Sequence, residues 1–552
     1  MKISYILPIT NDAGPRLTET SCAIKYVAET FESILTQSIP NWELIVVYQK
    51  GLRRAVIDAF NTAANQKYLR DTRRPDKINV VFKEINSRNS AKACNKGLEL
   101  SKGSYISIIQ AGDKLAETTS YELIKCIFEN PKTQFIYSDH DYIDARGYRF
   151  GPSFKPRFSP DLLYCKNYIG NLTLIKKTLL KKIGFSEKFG AAYDYFLYLN
   201  ATHLLRKFSH HNYRICGKKS QVNHISRILY HQRVNVKINP RRNKLPAIKA
   251  IDKIEKRQSK QGLSALRIFF DLQKKNVQVS EIESKIFRHE WAIPKPEPLV
   301  SLIIPTRDGY EILKNCIDSI LNKTKYTNYE ILIIDNQSTE RKTVEYLNNL
   351  ENKFVNIKVF KYNKKFNYSA INNYAAKHAA GQVLGLINND TEVINSEWLT
   401  EMVSHALRPE IGCVGALLYY PDDSIQHAGV EVGENCIPRN ITEYNLTMGT
   451  DRLNMKRLIN NPIAVTGAAL FIKKNIFDKL GGFNAVDLKI IFNDVDICLR
   501  CNELNIFNVF TPYAKLVHHE SATRKRQGEM NSVLHNQEIK DSQRMGKLWK
   551  LH

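Results

Sequence analysis

VSLIIP (300–305), EILKNCIDSIL (311–321), EILIID (330–335), TVEYLNNL (343–350), NIKVFKY (356–362), AINNYAAKHAA (370–380) and VLGLIN (383–388) alternate continuous apolar runs with helical patterns. That alternation predicts βαβ units around a parallel sheet whose two faces are covered by helices. In open α/β sheets the ligand sits beyond the carboxyl ends of the strands. The residues closing each predicted strand are therefore the first candidates for a site: Thr306 and Arg307, Asp335, and Asn388 to Asp390.

Working outward, the same signals occur a second time. ESILTQSIPNWELIVVY (32–48) reappears as DSILNKTKYTNYEILIID (318–335), GSYISIIQAGD from Gly103 as GQVLGLINNDT from Gly381, and LIKKTLLKKIGF (174–185) as FIKKNIFDKLGGF (471–483). Three matches in one order, some 290 residues apart, make the chain two copies of one domain rather than a short-period array. Between the copies, PAIKAIDKIEKRQSKQGL reads as a basic helix and WAIPKPEPLV as an extended connector, which puts the boundary near residue 296. The expected organisation is α/β throughout: a first domain over 1–240, a basic helical linker over 241–296 and a second domain over 297–552.

Composition agrees with this. A chain of 552 residues is long enough for two cores, and 43% hydrophobic with 25% charged residues is the balance of globular protein. No window approaches the apolar length that spans a bilayer, and the apolar run near Met1 is too short for a signal peptide, so a cytoplasmic location is expected. Ten cysteines without a secreted-scaffold rhythm fit reduced thiols; Cys498 and Cys501 have ligand-like spacing but no second pair, and are read as packing. The formal charge of +26 asks for an anionic partner: nucleic acid, lipid headgroups or a diphosphate substrate. It is densest from Arg206 to Lys260, where 16 Lys and Arg face only Asp252 and Glu255.

In the second copy, Asp335 can accept hydrogen bonds from a base or ribose, and Asn388 and Asn389 can contact ribose or phosphate. Asp390 is a hard oxygen ligand suited to Mg²⁺ or Mn²⁺. Asp494 and Asp496 open a helix, and His518 and His519 close an apolar run. Each has an ordinary alternative: turn residues in DNQST and NND, helix caps at the two aspartates, exposed polar residues at the histidine pair.

The ordered series IIPTRD, IIDNQS, FNYSAINNYAA, LINNDTEVI, GAALFIKK with LGGF, FNDVDICLR and LVHHESATR resembles the family 2 glycosyltransferases with the GT-A fold, nearly end to end over the second copy. The first copy resembles the N-terminal domain of two-domain bacterial members through NWELIV, YSDHDYID, FKPRFSPDLLYCKNYIG and RILYHQR. The resemblance implies two tandem GT-A domains and an inverting transfer of a sugar from a nucleotide diphosphate to a glycan or lipid-linked glycan in surface polysaccharide synthesis. It implies UDP- or dTDP-linked donors and Mg²⁺ or Mn²⁺. Nucleotide-sugar contacts are implied at Pro305, Thr306, Arg307, Asp335, Asn367, Asn388 and Asn389, metal binding at Asp390 and His518 with His519 as substitute, and the catalytic base at Asp494. Asp496 and Gly467 fall on the acceptor side. The chain departs from the pattern at Asn493, where the family has Glu, and at Asn388, where it has the first Asp of DxD.

The first copy has Tyr48 where the second has Asp335, and Gln110, Ala111 and Gly112 where the second has Asn388, Asn389 and Asp390, with Asp113 one place late. Asp194 stands opposite Asp494, and Phe196 opposite Asp496. With Asp113 and Asp194 as remnants, the first domain is expected to be structural or acceptor-binding; Asp139, Asp141 and Asp144 are read as solvated loop residues. The basic stretch can hold the enzyme peripherally at an anionic inner leaflet. Three rivals remain: two active domains, a non-catalytic scaffold, and a nucleic-acid binder, against which stands the lack of any RNA, helix-turn-helix or zinc motif.

Overall fold

The computed structural model describes residues 1–10, 20–70, 79–208, 220–234, 245–432, 438–440, 456–519 and 531–549. The chain divides into a first unit, Met1–His210 with Lys219–His289, and a second, Glu290–Thr447 with Asn454–His552.

The first unit is built on β1 (Ile3–Ile9), β2 (Trp42–Gln49), β3 (Val80–Ile85), β4 (Tyr105–Ile108), β5 (Lys114–Leu115), β6 (Phe135–Ile143), β7 (Arg149–Ser153), β8 (Thr173–Lys176) and β9 (Val222–Arg233), with a hairpin of β10 (Val277–Glu283) and β11 (Ile286–Trp291) beyond them. The second repeats the plan with β12 (Val300–Thr306), β13 (Tyr329–Asp335), β14 (Ile357–Lys361), β15 (Val383–Ile387), β16 (Thr391–Val393), β17 (Ile411–Tyr419) and β18 (Ile425–His427). A two-stranded ribbon of β19 (Val430–Val432) and β20 (Pro438–Asn440) follows, then β21 (Ala469–Lys473) and β22 (Phe507–His518). Strand order is β3-β2-β1-β4-β8-β6-β9-β5 in one sheet and β14-β13-β12-β15-β21-β17-β22-β16 in the other, with β7 and β18 at matching positions off the path. The two orders superimpose term by term, which confirms the tandem α/β organisation. Each sheet starts parallel and turns mixed where β8 or β21 enters antiparallel.

A buried glutamate explains the most visible repeated signal, the Asn-aromatic-Glu before each second strand. Glu330 accepts from the Ser301 hydroxyl at 2.7 Å and the Ala380 N–H at 2.8 Å, while Ser301 Oγ accepts from the Gly381 N–H at 2.8 Å. Glu43, Ser4 and Gly103 build the same knot in the first unit. Only glycine fits there, since a Cβ on Gly381 would lie 2.5 Å from Ser301 N and one on Gly103 2.7 Å from the Lys2 carbonyl. Burial pushes the Glu330 carboxyl up, but the Ser301, Ala380 and Lys358 contacts outweigh it and hold the group below its usual value. A depressed carboxylate contributes stability above its unfolded pKa and loses it as pH falls through the folded one. Glu330→Ala should therefore destabilise by about 2 kcal/mol at neutral pH, a deficit that narrows below about pH 4; urea unfolding across that range reads it.

The segment read as a linker belongs to the first unit as far as His289 and to the second from Glu290. Its helix, Leu245–Leu272, buries Ala265, Leu266, Phe269 and Phe270, and Gln261 accepts from the Ala191 N–H at 2.9 Å. An amphipathic helix with an apolar face packs rather than spans. YSDHDYID is likewise not a loop: Asp139 and Asp141 lie on β6, and with Asp144 just beyond it all three are buried and hydrogen-bonded. His224 Nε2 reaches Asp139 at 2.8 Å and His231 Nδ1 reaches Asp141 at 2.5 Å, so pairing across β9 replaces solvation. Of the basic stretch from Arg206 to Lys260, residues 209–219 and 235–244 lie outside the described residues. Among those described, no helix is long and apolar enough to cross a membrane.

Candidate active site in the second unit

At the carboxyl ends of β12 and β13 the register sets Thr306 opposite Asp335 and Pro305 opposite Ile334. The two following loops are laced together. Asp335 Oδ1 accepts from the Ser338 N–H at 2.9 Å, Ser338 Oγ accepts from the Asp308 N–H at 2.8 Å, and Asp308 Oδ1 accepts from the Thr339 and Glu340 N–H groups at 2.7 and 2.8 Å. Asp308 adopts φ 50°, which aims its carboxylate back across the crevice. Arg307 Nε, 4.0 Å from Asp308 Oδ2, is shielded from solvent without a hydrogen bond in the described structure.

The turn after β15 carries Asn388 to Asp390. Asn389 Nδ2 donates to Thr306 Oγ1 at 3.0 Å, tying this turn to β12, and the Asp390 carbonyl accepts from the His519 N–H at 2.9 Å. Register between β16 and β22 pairs Thr391 with His518. His518 Nε2 thereby comes to 3.2 Å from Asp390 Oδ1, both side chains nearly closed off from solvent. Yet Asp390 Oδ1 forms no hydrogen bond. A buried carboxylate oxygen left bare beside an imidazole nitrogen is the donor set a divalent cation needs. Among the described residues no three His, Cys, Asp or Glu side chains converge; two protein ligands leave room for phosphate oxygens and water in an octahedral shell. The residues present fit Mg²⁺ or Mn²⁺.

Asp494 sits in the first turn of the helix Asn493–Glu503, entered through Phe492 at φ 61°. Its Oδ2 accepts from the Gly467 N–H at 2.7 Å and its Oδ1 from the Val495 N–H at 2.8 Å. Desolvation by the surrounding protein outweighs these donors and raises its carboxyl above the ordinary value. Tyr368, absent from the sequence expectations, links this corner to the turn that carries Asp390: its hydroxyl lies 3.1 Å from both Asn388 Oδ1 and the Gly467 carbonyl. Burial pushes the Tyr368 phenol up, so it stays a neutral strut.

Three expected residues face elsewhere. Asn367 is the N-cap of the helix Tyr368–His378: its Oδ1 accepts from Ala370 N–H and its Nδ2 donates to the Ala485 carbonyl, each at 3.0 Å, so it sets Tyr368 rather than offering a free amide. Asp496, two residues past Asp494 and so on the far side of the helix, is held by Arg500 Nε at 2.8 Å and Trp549 Nε1 at 3.0 Å and is 3% exposed. His519 points away from Asp390, its Nε2 2.8 Å from Glu392 Oε1, as alternation along a strand requires. Cys498 and Cys501 are fully buried, with Cys501 Sγ 4.0 Å from Cys413 Sγ, and pack as expected.

The same corner of the first unit is filled. Matching registers place Tyr48 at Asp335 and Gly112 at Asp390, and put Gln232 at His518. Arg233, buried to 2% exposure, donates from Nε to the Gly112 carbonyl and from Nη1 to the Asp144 carbonyl, each at 2.9 Å. It also pairs with Glu29 and lies 4.3 Å over the Tyr26 ring. Asp113 accepts from the Arg233 N–H at 2.8 Å and from Tyr230 at 2.7 Å. Asp194 accepts from the Tyr195 N–H at 2.7 Å, with Asn167 Nδ2 at 3.4 Å, and burial raises its carboxyl too.

Glycosyl transferase family 2 matches the sequence twice, over residues 19–198 and 301–480. The chain belongs to that family. It is similar to the uncharacterized protein y4gI of Sinorhizobium fredii, 33% identical over 526 residues covering 95% of this chain and 53% of that one. It is also similar to the O-antigen biosynthesis protein RfbC of Myxococcus xanthus, 29% identical over 506 residues covering 91% of this chain and 36% of that one. The chain thus spans about half or less of the length of these relatives. Among solved structures it is similar to the mannosyltransferase PcManGT of Pyrobaculum calidifontis, in complex with GDP-Man and Mn²⁺, at 15% identity and a TM-score of 0.32, covering 42% of this chain and 59% of that one.

Proposed function

We propose that the second unit transfers a sugar, with inversion, from a nucleoside diphosphate donor to a hydroxyl of a glycan acceptor in surface polysaccharide synthesis. The observation that carries this is the joining of two chemistries by one tyrosine: the Asp390 and His518 pair on the Asn388 side, and the half-buried Asp494 carboxyl on the Gly467 side. Thr306 and Asp335 hold the nucleoside, with Pro305 shaping the strand end, and Asn388 and Asn389 fix the turn against it. Arg307 brings a cation with an unspent N–H. Asp390 and His518 would hold Mg²⁺ or Mn²⁺, which when bound supplies positive charge against the departing diphosphate.

Asp494 takes the proton of the acceptor hydroxyl as its oxygen attacks the anomeric carbon from the face opposite the nucleotide. The new C–O bond forms as the bond to the diphosphate breaks, and the nucleoside diphosphate leaves with the electron pair. A carboxyl raised by burial is a better proton acceptor than an exposed one, and the Gly467 N–H aims it. The lipid-linked form of the acceptor and a peripheral, cytoplasmic-face location rest on the net charge of +26, and the first unit, lacking the counterparts of Asp335, Asp390 and His518, serves structure or acceptor binding.

The test is nucleotide release from a panel of UDP-, dTDP- and GDP-sugars with Mn²⁺ or Mg²⁺ and lipid-linked acceptors. Release with at least one donor, dependent on the cation, is expected. Silence across the panel, with no donor binding by calorimetry, would leave a scaffold as the better reading.

A further inference from the structure

His518 is gripped at two points by one side chain. Gln426, on β18, lies with Oε1 2.7 Å from His518 Nδ1 and Nε2 3.3 Å from the His518 carbonyl. The carbonyl only accepts, so the amide nitrogen must face it, and this fixes which end of the glutamine meets the ring. The oxygen that meets Nδ1 is likewise an acceptor only, so Nδ1 carries the imidazole proton and Nε2 is left with its lone pair. That lone pair faces Asp390 Oδ1 at 3.2 Å, which is why the two atoms lie close without a hydrogen bond between them. Asn388 Nδ2, 3.3 Å from Nε2, is the protein donor on that lone pair.

We propose that Gln426 is a positioning residue: it selects the Nδ1–H tautomer and the pose of His518 that turn Nε2 and Asp390 Oδ1 into a two-point divalent-cation site. The proposal rests on the metal reading given above. It is supported independently by the first unit. There β7 and β6 pair Ser153 with His140 as β18 and β17 pair His427 with Leu418, so the residue matching Gln426 is Pro152, which has no side-chain acceptor. Gly112, Gln232 and Pro152 thus stand in the first unit where the second has Asp390, His518 and Gln426. The carboxylate, the imidazole and the group that orients it are absent together, as expected of parts of one device.

The experiment measures Mn²⁺ affinity by electron paramagnetic resonance on the full chain as wild type, Gln426→Leu and Gln426→Glu, with thermal unfolding as a check on the fold. Alongside it, the imidazole ¹⁵N shifts of the metal-free wild type, assigned with His518→Gln, read the tautomer directly. Gln426→Leu should bind Mn²⁺ about ten- to a hundredfold more weakly, Gln426→Glu should stay within about threefold of wild type because it keeps an acceptor on Nδ1, and wild-type His518 should carry its proton on Nδ1. Equal Mn²⁺ affinity in wild type and Gln426→Leu, or a proton on Nε2 in the metal-free wild type, overturns the role of Gln426 while leaving the metal reading standing. No Mn²⁺ binding by wild type with Nδ1 protonated overturns the metal reading, and this inference with it.

Discussion

Replacing Asp494 by Asn should lower turnover about a thousandfold, within the usual span for a lost general base, while leaving the protein as stable as before or more so. Both halves follow from burial. The carboxyl is raised above its ordinary value, so the folded state binds this proton more tightly than the unfolded chain. Its contribution to stability is full below the unfolded pKa and is lost as pH rises through the folded one. At neutral pH the charged form weighs against the fold, and asparagine relieves that while keeping an oxygen for the Gly467 N–H. The acid limb of kcat/KM should accordingly sit above the range of an exposed aspartate. Asp194→Asn, in the first unit, should leave turnover unchanged. Turnover of Asp494→Asn within tenfold of wild type, or loss of activity in Asp194→Asn alone, would reverse the assignment of the working unit.

The second large effect separates two neighbouring histidines. His518→Ala should abolish measurable Mn²⁺ binding and reduce turnover by about a hundredfold or more, because on the proposed reading it removes one of two protein ligands of a cation that would stabilise developing charge. His519→Ala should change turnover by less than about threefold, since its partner is the partly exposed Glu392 and such pairs contribute little. Asp390→Asn should resemble His518→Ala. The two alanine variants differ by one position at the end of β22, so a shared outcome would point to damage to that strand end rather than to loss of a ligand.

Where the proposed site depends on strand ends and chain order, its positions are legible in the sequence. Thr306, Asp335 and His518 end strands, Asn388 to Asp390 form the turn between β15 and β16, Asp494 opens a helix, and the repeated Asn-aromatic-Glu marks a knot that both units need. What stays hidden depends on contacts far apart in the chain. Tyr368 reaches Gly467 across 99 positions and Gln426 reaches His518 across 92, and nothing local distinguishes either from an ordinary polar residue. Two expected residues turn to other partners for a different reason. Asn367 and Asp496 lie inside recognisable motifs, but capping geometry and the 3.6-residue turn rotate their side chains to other duties. Polar alternation in YSDHDYID reads as loop until His224 and His231, some 90 residues on, supply the partners that let a charged strand be buried.

The buried Arg233 changes how the divergence of the two units should be understood. A guanidinium fixed to two carbonyls, a carboxylate and an aromatic face gives the first unit a permanent internal cation bonded to the Gly112 carbonyl, on the strand position that His519 matches in the second unit. Putting Asp at Gly112 and His at Gln232 would therefore create a carboxylate next to a resident counter-ion, which would claim it before any metal could. That corner is locked by charge, and giving it a cation site like the one proposed for the second unit would require dismantling Arg233, Glu29 and Tyr26 along with placing a carboxylate and an imidazole there.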